Sequence, residues 1–166
     1  MRYGITHLSI VPLRLEPSDT SEMVSQVLYC DYFKVLEQRK KWSKIRLTYD
    51  KYEGWIDNKQ FLELPEATYK NLAKENLKVS SDLVEYISNE KGQLSLIPIG
   101  ANINGISILQ HQFDGEYSTG AHKKEEIIKT AFLYLNSPYL WGGKPLSELT
   151  VVVLPKWFIK LMDIKF

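Results

Sequence analysis

Trp42-Ser43-Lys44-Ile45-Arg46-Leu47, then Asp50-Lys51-Tyr52-Glu53-Gly54, then Trp55-Ile56-Asp57, is the stretch that decides the fold. The first six residues alternate apolar and polar with period two, which fits a strand buried on one face. The Asp/Gly-bearing segment reverses the chain, and the next three residues close a hairpin. Working outward, Tyr32–Leu36 and Val24–Leu28 read as further strands, with a Cys30-Asp31 corner between them. Ser9-Ile10-Val11 leads into Pro12, and Pro17-Ser18-Asp19 marks a turn. So many short strands, rich in β-branched and aromatic residues, predict a small antiparallel barrel over residues 1–64.

Beyond the barrel the pattern changes. Pro65 to Lys74 predicts a short helix with Pro at its first position and Tyr69, Leu72 and Ala73 on one face, inside a helical linker over 65–78. Residues 79–120 read as a second strand-rich, barrel-like unit, with strands at Leu83–Ile87 and Ile106–Phe113 and a turn at Asp114-Gly115. From Lys123 to Leu135 the period becomes helical: Ile127, Ile128, Ala131, Phe132 and Leu135 form one apolar stripe. The expected fold class is therefore mainly β, one or two small barrels followed by a helical piece.

The chain has 166 residues, with 21 Lys+Arg against 20 Asp+Glu. A net charge of +1 supplies no bulk field for nucleic acid or an anionic membrane, so neither is expected as a partner. One Cys excludes an internal disulfide framework and a multi-cysteine zinc site. His7, His111 and His122 are too scattered for a metal box, and no cofactor is expected. No apolar signal core or membrane span is legible, so the expected location is the cytoplasm. Arg39-Lys40-Lys41 with Lys44, Arg46 and Trp42 could form a nucleic-acid patch. The nearby Asp50, Glu53 and Asp57 favour a solvated strand face instead. Cys30 could be a nucleophile with His7 or His111, or a structural thiol at a strand corner. Nothing adjacent in sequence would depress its pKa. Leu149 to Phe166 is apolar without helical or strand design, and Pro155 interrupts any membrane-surface helix there.

Three groups of residues carry a resemblance. Val11-Pro12-Leu13-Arg14 with Glu16-Pro17-Ser18, then Trp42-Ser43-Lys44-Ile45, then Glu53-Gly54-Trp55-Ile56, resemble bacterial Src-homology-3-like (SH3-like) domains of cell-wall enzymes. The helix followed by Ser137-Pro138-Tyr139-Leu140-Trp141-Gly142-Gly143 is similar to the approach to the catalytic cysteine in NlpC-type, papain-like cysteine peptidases, which cleave peptides of peptidoglycan. The resemblance implies a substrate-binding loop at Tyr139, Trp141, Gly142 and Gly143. For the barrels it implies a wall-peptide ligand, for which Tyr32, Trp42, Tyr52 and Trp55 are candidate groove aromatics. Gly142-Gly143 would let a ligand backbone approach closely; alternatively the loop merely caps the barrel edge.

The family continues with Asp-Cys-Ser-Gly, its Cys opening a helix, and a His follows from a later strand. Here Pro145-Leu146-Ser147-Glu148-Leu149-Thr150-Val151-Val152-Val153 stands in that place. A one-base displacement accounts for the difference. If the first two bases of each codon become the last two of the displaced codon, three Val codons (GTN) permit TGT-AGT-GGT, Cys-Ser-Gly, and Thr150 permits Asp. Extended over Pro145 to Lys160 the same shift permits Thr-Pro-Phe-Gly-Ile-Asp-Cys-Ser-Gly-Phe-Thr-Gln-Met-Val-Tyr-Lys. Lys144 and Lys160 flank the stretch with adenine-rich codons, where one base can be lost and regained. Residues 121–166 are thus expected to be a truncated, frame-displaced start of an NlpC-type domain, without catalytic Cys or His. The expected chain is an inactive relative of a peptidase acting in wall-peptide recycling, or alternatively a stand-alone wall-peptide-binding module.

Overall fold

The computed structural model describes residues 1–119, 132, 134, 138 and 140–144. Most of the expected 123–135 helix lies outside the described residues. So do His122, Tyr139 and the whole stretch 145–166.

Seven strands build the first unit: β1 (Arg2–Thr6), β2 (Ile10–Arg14), β3 (Met23–Leu28), β4 (Tyr32–Gln38), β5 (Trp42–Leu47), β6 (Glu53–Asp57) and β7 (Phe61–Leu64). They form one sheet in the order β3-β2-β6-β5-β4-β1-β7, with every neighbouring pair antiparallel. β5 shows why the alternating stretch was decisive. Ser43, Ile45 and Leu47 point inward and are buried, while Trp42, Lys44 and Arg46 lie on the outer face. Val11, Leu13, Val27, Phe33, Ile45, Ile56 and Phe61 fill the barrel core. β2 continues through Pro12, which the sequence reading placed at the strand's end. The missing N–H is tolerated because Pro12 lies where β2 has β3 on one side; β6 meets β2 at Arg14. β1 and β7 escape the period-two pattern. β1 is buried from Tyr3 to Thr6 without alternation, and β7 is a four-residue strand closing on it.

Helix α1 (Glu66–Leu72) follows, with Pro65 as its N-cap rather than its first residue. Tyr69 and Leu72 are buried as expected, whereas Ala73 stands exposed at the C-terminal end. The second unit has β8 (Val79–Ser80), β9 (Val84–Asn89), β10 (Leu94–Pro98), β11 (His111–Phe113) and β12 (Tyr117–Ser118). Its sheets run β10-β9-β11 and β12-β8. The strand expected over Ile106–Phe113 is only His111–Phe113. Residues 105–110 turn instead, closed by Leu109 N–H to Gly105 O (3.1 Å) and His111 N–H to Ile106 O (3.1 Å). Ile106 and Leu109 face the core at i, i+3 spacing while Ile108 is exposed, so a helical pattern in a short window mimicked alternation. Phe132, expected on a core-facing stripe, is exposed. Tyr134, two residues on, is buried against Leu28, Val79 and Ile99.

The two units share one core. Tyr3, Ile5, Tyr29 and Cys30 of the first pack with Leu64, Tyr69 and Leu72, and with Ile87, Ile97, Ala101 and Leu109 of the second. Gly105 is needed at this joint, because a Cβ there would lie 2.6 Å from Cys30 Sγ and 2.7 Å from Ile5 Cδ1. Gly105→Ala is therefore expected to cost about 1–3 kcal/mol. It should lower the midpoint of a single denaturation transition common to both units, since the cluster it disrupts is the one that joins them. Two resolved transitions in wild type or variant would contradict the shared core.

Candidate functional site

The Leu140–Lys144 segment turns on itself through Gly143 N–H to Leu140 O (3.0 Å). Gly142 takes the left-handed position at φ +77°, as the third residue of such a turn requires. The loop is seated on the barrel edge at β3. Trp141 Nε1–H donates to Glu22 Oε1 at 2.6 Å, and Lys144 N–H donates to Gln26 Oε1 at 2.7 Å. A Cβ on Gly142 would lie 2.5 Å from the Met23 carbonyl oxygen. The close approach that this glycine permits is therefore to the protein's own strand. Gly142, Gly143 and Lys144 are buried, while the Trp141 ring stays about half exposed beside them.

The four barrel aromatics do not converge. Lys44 pairs with Trp55 and Trp42 with Asp57, so Trp42 and Trp55 share one outer face. The Arg39 guanidinium lies 4.5 Å over the Trp55 ring, which is buried beneath it. Tyr32 sits at the far end, under α1, where its hydroxyl donates to Leu72 O (3.1 Å) and its ring meets Tyr69 edge-on. Burial, with Tyr69 and Asp31 adding to it, pushes the Tyr32 phenol up to about 12. Tyr52 packs against the barrel core, its hydroxyl facing Val24 O at 3.5 Å.

Three of the five cations in the expected patch are paired with carboxylates. Arg46 and Lys44 reach Glu53 at 2.6 Å and 3.3 Å, and Arg39 reaches Glu37 at 2.7 Å. For Arg39, Lys44 and Arg46 this is the arrangement of a solvated strand face. Hydrogen bonds from Arg46 and Lys44 hold the Glu53 carboxyl below its ordinary 4.5.

Cys30 is fully buried in the shared core, with φ +60° at the corner before β4. Its Sγ packs toward Gly105, and no substrate carbonyl can reach a thiol so enclosed. His111 Nδ1 lies 2.8 Å from the Tyr29 hydroxyl, a partner 82 positions away that no local pattern signals. Burial, and His7 after it, hold the His111 imidazole below its usual value, while burial pushes the Tyr29 phenol up. The reading of the sequence also missed a cleft in the second unit, lined by Lys78, Ile106, His111, Phe113, Asp114 and Tyr117 among others. Its walls come from segments far apart in the chain.

Residues 13–61 match the family described as the bacterial dipeptidyl-peptidase Sh3 domain. The fold is similar to that of an NlpC/P60 family protein from Bacillus cereus: TM-score 0.73 at 12% identity, over 99% of this chain and 73% of that one. It is also similar to an NlpC/P60 endopeptidase from Photobacterium damselae subsp. piscicida: TM-score 0.70 at 13% identity, over 98% of this chain. The chain spans 43% of the length of that second protein. No curated protein matches the sequence. No helix among the described residues is long and apolar enough to cross a membrane.

Two outcomes follow from the geometry. Gly142→Ala should cost about 1–2 kcal/mol from the left-handed backbone alone, and should increase protease cutting near residue 142; unchanged proteolysis would show that the loop is not seated at β3. Glu53 has a depressed folded-state pKa, so its contribution is present above 4.5 and is lost as pH falls through the lower folded value. Glu53→Gln should flatten that acid limb of a melting-temperature profile, and an unaltered slope would contradict it. Residues 13–61 are a bacterial SH3-like domain, and the chain around them has the fold of NlpC/P60 family proteins.

Proposed function

We propose that this chain is a non-catalytic relative of the NlpC-type peptidoglycan peptidases that binds cell-wall peptides without cleaving them. The observation that carries the reading is the contrast between its loop and its thiol. The Trp-Gly-Gly segment is built in detail onto the SH3-like unit through Glu22, Met23 and Gln26. The chain's one cysteine is locked inside the core at position 30. A thiol peptidase needs an accessible thiolate next to a base, and a buried apolar site favours neither ionisation nor access. The codon shift supports a parental gene that encoded the missing Cys-Ser-Gly between Lys144 and Lys160. Sequencing the gene through those two lysine codons tests that part directly, because bases that cannot spell Cys-Ser-Gly in the neighbouring phase exclude it.

The likeness to NlpC/P60 proteins and the SH3-like match support a wall-peptide ligand. Two surfaces compete for it. One is the loop at the barrel edge, where Trp141 is the exposed residue while Gly142 and Gly143 are buried against the strand. The other is the outer barrel face, favoured by Trp42 lying beside Arg39-capped Trp55. Purified full-length chain should release no product from muropeptides yet bind them saturably. Trp141→Ala should weaken binding about tenfold if the loop holds the ligand, and Trp42→Ala if the barrel face does. Hydrolysis abolished by a thiol-alkylating reagent would overturn the proposal, as would absence of any binding.

A further inference from the structure

The cleft of the second unit is a shallow depression open to solvent, of about 530 Å³, within the ~300–1,000 Å³ range of small-molecule sites. It is separate from the barrel aromatics and from the Leu140–Lys144 loop. Its floor is apolar: Ile103, Ile106 and Phe113 line it and are themselves packed on the shared core. Its polar lining residues, Lys78, His111, Gln112, Asp114 and Tyr117, differ in charge. Lys78 stands exposed, its ammonium 5.7 Å from the Tyr117 ring centroid, with no carboxylate in ion-pair range among the described residues. The Lys78 backbone is held on both sides, its N–H donating to Asn104 Oδ1 (2.8 Å) and its carbonyl accepting from Ile103 N–H (3.0 Å). The cation is thus presented from a fixed segment.

His111 supplies a second donor. The Tyr29 side chain is fully buried, and its hydroxyl faces His111 Nδ1 at 2.8 Å. A buried phenol places its one proton on an available acceptor, so Nδ1 of the neutral ring accepts and Nε2 carries the ring hydrogen. The ring is also stacked on Tyr29 at a centroid distance of 5.8 Å, which fixes its plane. Asp114, exposed on the turn after β11, is the lining residue of opposite charge.

We infer that this cleft binds a short apolar peptide with both termini free. Its carboxylate is received by the Lys78 ammonium and the His111 Nε2–H. Its apolar side chain rests on Ile106 and Phe113, and its ammonium lies toward Asp114. A lone anion gains nothing from the floor and is opposed by Asp114, whereas a zwitterion with an apolar body satisfies all three features.

The dipeptide Ala-Leu is the probe, titrated into the full-length chain by calorimetry, with the His111 imidazole followed by NMR. Ala-Leu should bind and shift the His111 resonances. Ala-Leu amide should bind about tenfold more weakly, and Lys78→Met should lose a similar factor, as expected for a charge-assisted hydrogen bond. Asp114→Asn should erase the preference for Ala-Leu over N-acetyl-Ala-Leu. Four results would each overturn the site: no binding at millimolar Ala-Leu, equal affinity for the amide, an unaffected Lys78→Met variant, or acetate binding as well as the dipeptide. Lys78 and Asp114 are exposed, so these variants keep the fold. Muropeptide binding by the Trp42 and Trp141 variants is scored separately, so either reading can fail without the other.

Discussion

Everything in this molecule turns on the Leu28–Asp31 corner. Here β3 must reverse into β4 while also serving as the surface on which the second unit packs. Four groups close it. Cys30 N–H donates to Thr6 O at 3.0 Å, Thr6 N–H to Asp31 O at 3.1 Å, the Thr6 hydroxyl to Leu28 O at 2.7 Å, and Leu28 N–H to Asp31 Oδ2 at 3.0 Å. Buried backbone groups left unpaired would cost about 1–3 kcal/mol each, so a corner at this depth exists only because Thr6 and Asp31 complete it. Cys30 takes the left-handed conformation there, at a cost of about 1–2 kcal/mol that the surrounding contacts must over-determine.

The same corner is the joint between units. Tyr29 O accepts from Asn102 N–H at 3.2 Å, the Tyr29 hydroxyl meets His111, and Cys30 abuts Gly105. Each contact reaches from the first unit into the second. This explains the identity of the residue at position 30. A small, polarisable, apolar side chain fits against a glycine where a larger one would collide. The thiol is spent on packing, and packing is what removes it from chemistry.

How much of this was legible depended on whether each feature is written locally. β5 was read to the residue because one of its faces is wet and the other dry, and α1 because its buried pair falls at helical spacing. β1 was not, since burial from Tyr3 to Thr6 leaves no alternation to detect. β10, Leu94–Pro98, was missed for the opposite reason: its first three residues are exposed, so its apolar side chains mark no core. Residues 106–110 were misread because five residues cannot separate period two from i, i+3. At the candidate sites, the Trp-Gly-Gly motif was visible but its seat was not. Trp141 and Glu22 are 119 positions apart, so no local pattern in the sequence joins them. The cleft had no signature at all, being assembled from Lys78 and the His111–Tyr117 segment by the topology.

The division of labour between scaffold and chemistry follows from where the core residues lie. The cores of the two units draw on residues between Tyr3 and Phe113. In the proposed reading, where the nucleophile-bearing segment is replaced, the chain keeps this apolar interior, because stability resides in packed cores and not at a catalytic loop. What such a replacement leaves behind is a seated loop, an ordered barrel face and a cleft. Recognition needs shape and a few fixed polar groups, all of which the β scaffold holds in place. Cleavage needs a thiolate and an imidazole brought together, and the scaffold has put its one thiol where no substrate can follow.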